Sequence, residues 1–202
     1  MAGRIVVLIS GAGSNMTALV DACRRGDVPG EVVAVFSDRP CEGISRAEGL
    51  GIDGHVLVFK DYASREDWSE ALRDQVLKYE PDLIVSAGFM RILSPVFVDA
   101  FPNRIINLHP ALLPAFAGAH GVRDALAHGV KITGTTVHIV DYEVDHGPIL
   151  LQAAVAVEDG DDEGSLHERI KEQEHRLLPL ACRLMLEGRV RIEGHKTFVE
   201  EG

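Results

Sequence analysis

The chain is short of positive charge. Its 20 Lys and Arg stand against 31 Asp and Glu, a formal net charge of −11, and the small basic cluster Arg24-Arg25 is offset at once by Asp27. Such a surface repels a polyphosphate backbone, which excludes nucleic acid as a principal partner. Cysteine is scarce as well. Cys23, Cys41 and Cys182 are odd in number, far apart and without C-x-x-C spacing, so they argue for reduced thiols that fill the core rather than for a disulfide framework or a zinc knuckle. No apolar stretch reaches membrane length, and the run from Arg4 to Ser10 is too short for a signal segment; a soluble, cytoplasmic protein without a membrane partner is expected. There is no H-E-x-x-H pair, no G-x-S-x-G elbow, no repeat and no low-complexity linker. No catalytic metal is expected, and nucleophilic catalysis has no signature, since Cys23 falls on a helix face where a thiolate is disfavoured.

What is present is apolar patterning. At 202 residues and 46% hydrophobic content the chain can build one substantial core, and a single domain over residues 1–202 is expected. Ile5 to Ile9 is a continuous aliphatic run, the mark of a parallel strand covered on both faces. Met16, Leu19, Val20 and Cys23 then mark a helix, Val32 to Phe36 a strand, Ile44 to Leu50 a short helix and His55 to Phe59 a third strand. Ser64 with Asp67 resembles a capping box opening the helix of Trp68, Leu72, Val76 and Tyr79, which Glu80-Pro81 ends. Leu83 to Ala87 and Arg104 to His109 supply two more strands, so the first half is βαβ in rhythm. The second half changes character. Lys131 to Val140 and Ile149 to Val157 read as strands joined by the tight acidic loop Asp141 to Pro148, an antiparallel extension. The fold class expected is α/β, a Rossmann-like open mixed sheet with a parallel N-terminal half (1–103) and an antiparallel C-terminal extension within 104–202. The acidic run Asp159 to Glu163 reads as a solvated turn whose acids favour the next helix N-terminus.

Two places carry chemistry. The first strand runs into Gly11-Ala12-Gly13-Ser14-Asn15, where small residues let the backbone turn with its amides outward and the helix N-terminus adds roughly half a positive charge. The sixth position of a dinucleotide fingerprint is Met16 rather than glycine, so a single phosphate ester fits better than a dinucleotide. Asp38 after the second strand reads as a turn residue beside Arg39-Pro40 rather than as a ribose-binding acid. The second place is Asn107-Leu108-His109-Pro110. Residues i and i+2 of a strand project together about 6.5 Å apart, and Pro110 ends the pairing, so amide and imidazole share the crevice beyond the carboxyl ends of the sheet. The alternative is a strand-end histidine that only caps backbone carbonyls.

The ordered set Gly11 to Asn15, Phe89-Met90-Arg91-Ile92-Leu93, Asn107-Leu108-His109-Pro110 with Leu112-Leu113-Pro114, and Asp145-His146-Gly147-Pro148 resembles the glycinamide ribonucleotide formyltransferases over nearly the whole chain. The resemblance implies transfer of a formyl group from 10-formyltetrahydrofolate, as co-substrate, to the amine of 5-phosphoribosylglycinamide in purine synthesis, with the parallel half holding phosphate and the remainder holding folate and the catalytic groups. Relatives sharing the Asn-x-His and Asp-x-Gly-Pro elements, methionyl-tRNA formyltransferase and the formyltetrahydrofolate hydrolases, carry an additional domain for which this chain has no room. A hydrolase releasing formate from the same folate, and a non-catalytic Rossmann-like nucleotide-binding module, remain alternatives. Monomer and homodimer both stay open.

The chemistry asks for donors to an oxyanion and for a proton carrier. Asn107 can donate to the oxyanion, and His109 can donate and pass a proton toward the departing folate nitrogen. A nearby carboxylate would raise the histidine pKa; the loop offers Asp141, Glu143 and Asp145, and the resemblance favours Asp145. It also implies that Gly13, Ser14, Asn15 and Glu174 hold the ribonucleotide, and that Arg65, Met90, Arg91, Ile92, Leu93, Asn107 and Asp141 hold the folate. Glu174 stands out independently, since it falls within the apolar stripe of Leu166, Ile170, Leu177 and Ala181 and a carboxylate there needs a partner. His138 reads as a core or supporting histidine, and His120 matches a mobile loop near the ribonucleotide. Two features depart from common family patterns: Ala115-Phe116-Ala117 before Gly118, where proline or lysine is often found, and His146 directly after Asp145.

Overall fold

The structure, a computed structural model, describes residues 2–200. Seven strands form one sheet in the order β3-β2-β1-β4-β5-β6-β7: β1 (Gly3–Ile9), β2 (Gly30–Ser37), β3 (Asp53–Val56), β4 (Leu83–Ser86), β5 (Ile105–His109), β6 (Ile132–Ile139) and β7 (Ile149–Ala156). The first five are parallel, and β6 and β7 continue antiparallel, the mixed sheet expected. The helices are α1 (Ser14–Arg25), α2 (Glu42–Gly49), α3 (Arg65–Leu77), α4 (Pro95–Val98), α5 (Gly121–His128) and α6 (Glu163–Leu186).

Alternation along β1 builds both layers. Ile5, Val7 and Ile9 point into a core with Met16, Leu19, Leu178 and Cys182 of α1 and α6. Val6 and Leu8 point the other way, onto Trp68, Leu72, Phe97 and Phe101. A strand buried on both faces needs an unbroken aliphatic run, which is why this element is so plain in the sequence. Gly26, left-handed at φ 81°, closes α1 with its N–H on Cys23 O and that of Asp27 on Ala22 O, the bonds that satisfy a helix C-terminus.

Several boundaries differ from expectation. The third strand is Asp53–Val56, not His55 to Phe59, because Leu57 and Phe59 turn their N–H groups back to Ser37 O and Asp38 O and Phe59–Asp61 curls into a 3₁₀ turn. At α3, Asp67 N–H donates to Ser64 Oγ at 3.0 Å, which is the Ser64 half of the expected box. The last long helix opens at Glu163 with a reciprocal box between Asp162 and Ser165, so the acidic run does serve its N-terminus. A C-terminal hairpin, β8 (Val190–Glu193) and β9 (Lys196–Val199), lay outside the expected elements. Cys182 is buried, whereas Cys23 and Cys41 are only half-buried; burial still pushes the Cys23 thiol up to about 11.

Candidate active site

The carboxyl ends of β1, β4 and β5 lie side by side, with Leu8 paired to Ser86 and Ser86 to Asn107. The glycine loop after β1 and the Asn-x-His segment ending β5 therefore open on the same edge, two strand spacings or about 10 Å apart. This is the crevice in which an open α/β sheet takes its ligand.

On the β1 side Gly13 is left-handed at φ 76° and precedes the first residue of α1. A Cβ there would sit 3.1 Å from Gly43 Cα, so glycine is required both by conformation and by space. Asn15 Nδ2 donates to Glu174 Oε2 at 2.8 Å across 159 residues of sequence, while Asn15 Oδ1 is buried without a hydrogen-bond partner. Glu174 is itself buried, and that burial raises its pKa against the pull of Asn15 and Lys171. Lys171, one turn earlier on α6, acts on Glu174 only through its charge, since its Nζ pairs with Glu168 Oε1 at 2.7 Å.

Around β5 the structure gathers Asn107, His109, His138 and Asp145. Antiparallel pairing sets Asn107 opposite His138. His138 Nδ1 lies 2.9 Å from Ile139 O, an acceptor only, so that nitrogen carries the proton and Nε2 accepts from Asn107 Nδ2 at 3.1 Å. The same Asn107 amide points its nitrogen at Asp145 Oδ1, 3.3 Å away. Asp145 Oδ2 stands 3.2 Å from His109 Nδ1 and accepts from Gly118 N–H at 2.7 Å. Of the three loop acids, Asp145 is the one that reaches His109, while Asp141 turns its oxygens to Glu143 N–H and His146.

His109 also does what its plainer alternative required. Its Nε2 donates to Phe116 O at 2.8 Å, and Phe116 adopts φ 56°, as Asp145 adopts φ 52°, both in the left-handed region that side chains occupy at a cost. Gly121 permits this packing, since a Cβ there would meet His109 Nε2 and Phe116 O at 3.2 Å each. Asp145 raises the histidine pKa as expected, but the net shift is downward. Burial lowers it from the ordinary 6.5 by more than Asp145 and the Phe116 carbonyl raise it, and His138 lowers it further. For Asp145, burial opposes ionisation, but the Gly118 N–H bond and the electrostatic pull of the His138 and His109 rings outweigh it and hold the carboxyl below 3.8.

A cleft of about 230 Å³ is lined by Asp38, Arg39, Val58, Phe59, Lys60 and Arg91. Asp38, read from sequence as a turn residue, is a buried carboxylate that accepts from Ser10 Oγ at 2.6 Å, from Arg39 and from Arg91 Nε at 2.7 Å; those bonds overcome burial and keep it ionised. Arg91 lies 4.3 Å over the Phe59 ring. Met90 and Ile92 beside it are exposed, and Leu93 is buried. Arg65 pairs with Glu66 at 3.2 Å and is absent from the lining of this cleft. A larger hollow, about 440 Å³, opens on the outer edge of β3; it is shallow, and His55 there is already bonded to Tyr79, so the chemistry belongs to the β1–β5 edge.

An open sheet with a glycine loop at its switch point and a buried imidazole–carboxylate pair two strands along the same edge has the layout of a group-transfer site. The Formyl transferase family profile matches residues 3–182. The phosphoribosylglycinamide formyltransferase of Mycobacterium tuberculosis is 53% identical over 88% of this chain and 82% of its own length, and that of Escherichia coli 43% over 97% and 93%. The solved glycinamide ribonucleotide transformylase 1 of Symbiobacterium toebii superposes with a TM-score of 0.97 at 47% identity, over 98% of this chain and 94% of that one. The chain belongs to the formyl transferase family.

Proposed function

We propose that the protein transfers the formyl group of 10-formyltetrahydrofolate to the amine of 5-phosphoribosylglycinamide, a step of purine biosynthesis. The observation that carries this reading is the His109–Asp145–Asn107 cluster facing the same sheet edge as the Gly13–Asn15 loop, in a chain of this family.

The amine attacks the formyl carbon, forming one C–N bond and a tetrahedral centre with an oxyanion and an ammonium. His109, with its one proton on Nδ1 toward Asp145, takes the ammonium proton at Nε2, and Asp145, 3.2 Å from Nδ1, stabilises the imidazolium so formed. The proton then passes to N10 of the folate as the second C–N bond breaks, leaving tetrahydrofolate. For this His109 must exchange the Phe116 carbonyl for substrate. Asn107 turns its longer contact, 3.3 Å to Asp145, toward the oxyanion, a service whose loss costs about a hundredfold to a thousandfold. Gly13, Ser14 and Asn15 seat the phosphate on the α1 N-terminus, with Glu174 on the ribonucleotide. The Met90–Leu93 backbone and the Asp141 loop take the pterin, and Arg65, exposed beside Glu66, takes the carboxylate tail.

The test is dependence on acceptor. With 10-formyltetrahydrofolate alone little formate should appear, and adding phosphoribosylglycinamide should release tetrahydrofolate promptly; formate release at the same rate without acceptor would make the protein a hydrolase. Ser14→Asp, which sets negative charge where phosphate sits, should weaken the ribonucleotide far more than the folate. Equal weakening of both would break the assignment of the two ends of the cleft.

A further inference from the structure

The loop between β6 and β7 carries Asp145, and two histidines outside the reacting groups hold that loop. His146 Nδ1 lies 2.9 Å from Asp141 Oδ2, whose other oxygen accepts from Glu143 N–H at 3.0 Å. The contact closes residues 141–146 into a ring just where Asp145 takes its left-handed φ of 52°. His195, in the turn of the β8–β9 hairpin, places its ring 4.7 Å from that of His146. The hairpin is fixed beside the loop's far end as well, because Thr197 Oγ1 donates to Ile149 O at 2.6 Å. Gly147 between these points is backed directly against Ile139 O, 1.9 Å from where a Cβ would stand. The hairpin lies beyond residue 182, where the family match ends.

We propose that the C-terminal hairpin is a buttress for the β6–β7 loop, and that His146 and His195 are positioning residues which act through the Asp141–His146 bond and the tilted ring contact to hold Asp145 against His109. The inference rests on the proposed reaction for its kinetic readout, but its mechanical content is independent of it. Both rings are needed: His146 supplies the donor to Asp141, and His195 supplies the face that keeps His146 from swinging into solvent, where 53% of its side chain already lies.

Steady-state kinetics with both substrates and backbone hydrogen exchange test it together. His146→Ala and His195→Ala should each lower kcat about tenfold, since even a 1 Å misplacement of a reacting group costs about a hundredfold, with the KM for ribonucleotide unchanged. The double variant should be no worse than the poorer single one. His146→Asn, which keeps a donor, and His195→Phe, which keeps a ring, should restore most of the rate. In the ligand-free protein His195→Ala should speed amide exchange at residues 143–147 while α1 and α6 stay protected. If kcat stays within twofold in both alanine variants, or the two losses multiply, or ribonucleotide KM rises in step, the buttress is refuted. If the protein transfers no formyl group but exchange at 143–147 rises, the proposed reaction fails and the buttress stands; unchanged exchange refutes the buttress whichever reaction is catalysed.

Discussion

Asp145→Asn keeps the size of the side chain and removes its charge, which isolates what the carboxylate does. Asp145 has four neighbours: His109 Nδ1 at 3.2 Å, His138 Nε2 at 3.6 Å, Asn107 Nδ2 at 3.3 Å and Gly118 N–H at 2.7 Å. An amide can still accept from Gly118 with its oxygen, but its nitrogen then faces a donor, so one bond is lost and a charge-assisted one is weakened. This should cost about 1 to 3 kcal/mol of stability. The rate effect should be larger, because the imidazolium formed during transfer loses its counter-charge. A fall in kcat of about a hundredfold to ten-thousandfold is expected, or roughly 3 to 5 kcal/mol of barrier. Direction in pH supplies the sharper check. Burial already lowers the His109 pKa and Asp145 partly offsets it, so without the charge the pKa drops further and the acid limb of kcat must move to lower pH. Saturating both substrates and following tetrahydrofolate across pH gives both readings. A loss below about fivefold, or an acid limb that moves upward, would refute the role assigned to this carboxylate.

Glu174→Gln should leave stability near pH 7 unchanged or raise it by about 1 kcal/mol, because burial raises the native pKa above 4.5 and ionisation therefore weakens the fold as pH rises through that range; the KM for ribonucleotide should rise, and a stable protein with unchanged KM would remove Glu174 from the site. Gly147→Ala sets a Cβ 1.9 Å from Ile139 O, so a loss of roughly 3 kcal/mol should appear as a lower Tm, together with lost turnover; a wild-type Tm would mean the loop is not seated as described. His109, His167 and His175 all have pKa values lowered by burial from 6.5, so the unfolded chain binds more protons and stability should fall as pH drops through that value; His146, raised by Asp141 but exposed, opposes this weakly. Urea midpoints that are flat or higher at about pH 5.5 than at about pH 7.5 would contradict those three environments.

The parts legible in the sequence were those whose physics is local. Ile5 to Ile9 announces a strand covered on both faces, and Asn107 with His109 announces a shared face because strand periodicity needs no tertiary information. The choice of Asp145 over Asp141 and Glu143 depended on where a loop folds back across 36 residues, which no local rule supplies without the family resemblance. The Asp38–Arg91 pair, 53 residues apart, was hidden for the same reason, and Asp38 was consequently taken for a turn residue. Sequence could name a carboxylate near His109 but could not weigh it against burial, and burial won. The β8–β9 hairpin, by contrast, was there to be found, since Val190-Arg191-Ile192 and Thr197-Phe198-Val199 flank Gly194 with the alternation of a tight hairpin.

The bond from Asn15 to Glu174 joins the start of the first helix to the last long one. A nascent polypeptide that has completed its Gly11–Asn15 loop must therefore wait for some 159 further residues before the carboxylate that partners Asn15 arrives. The two ends of the long sequence separation are joined only when α6 is in place.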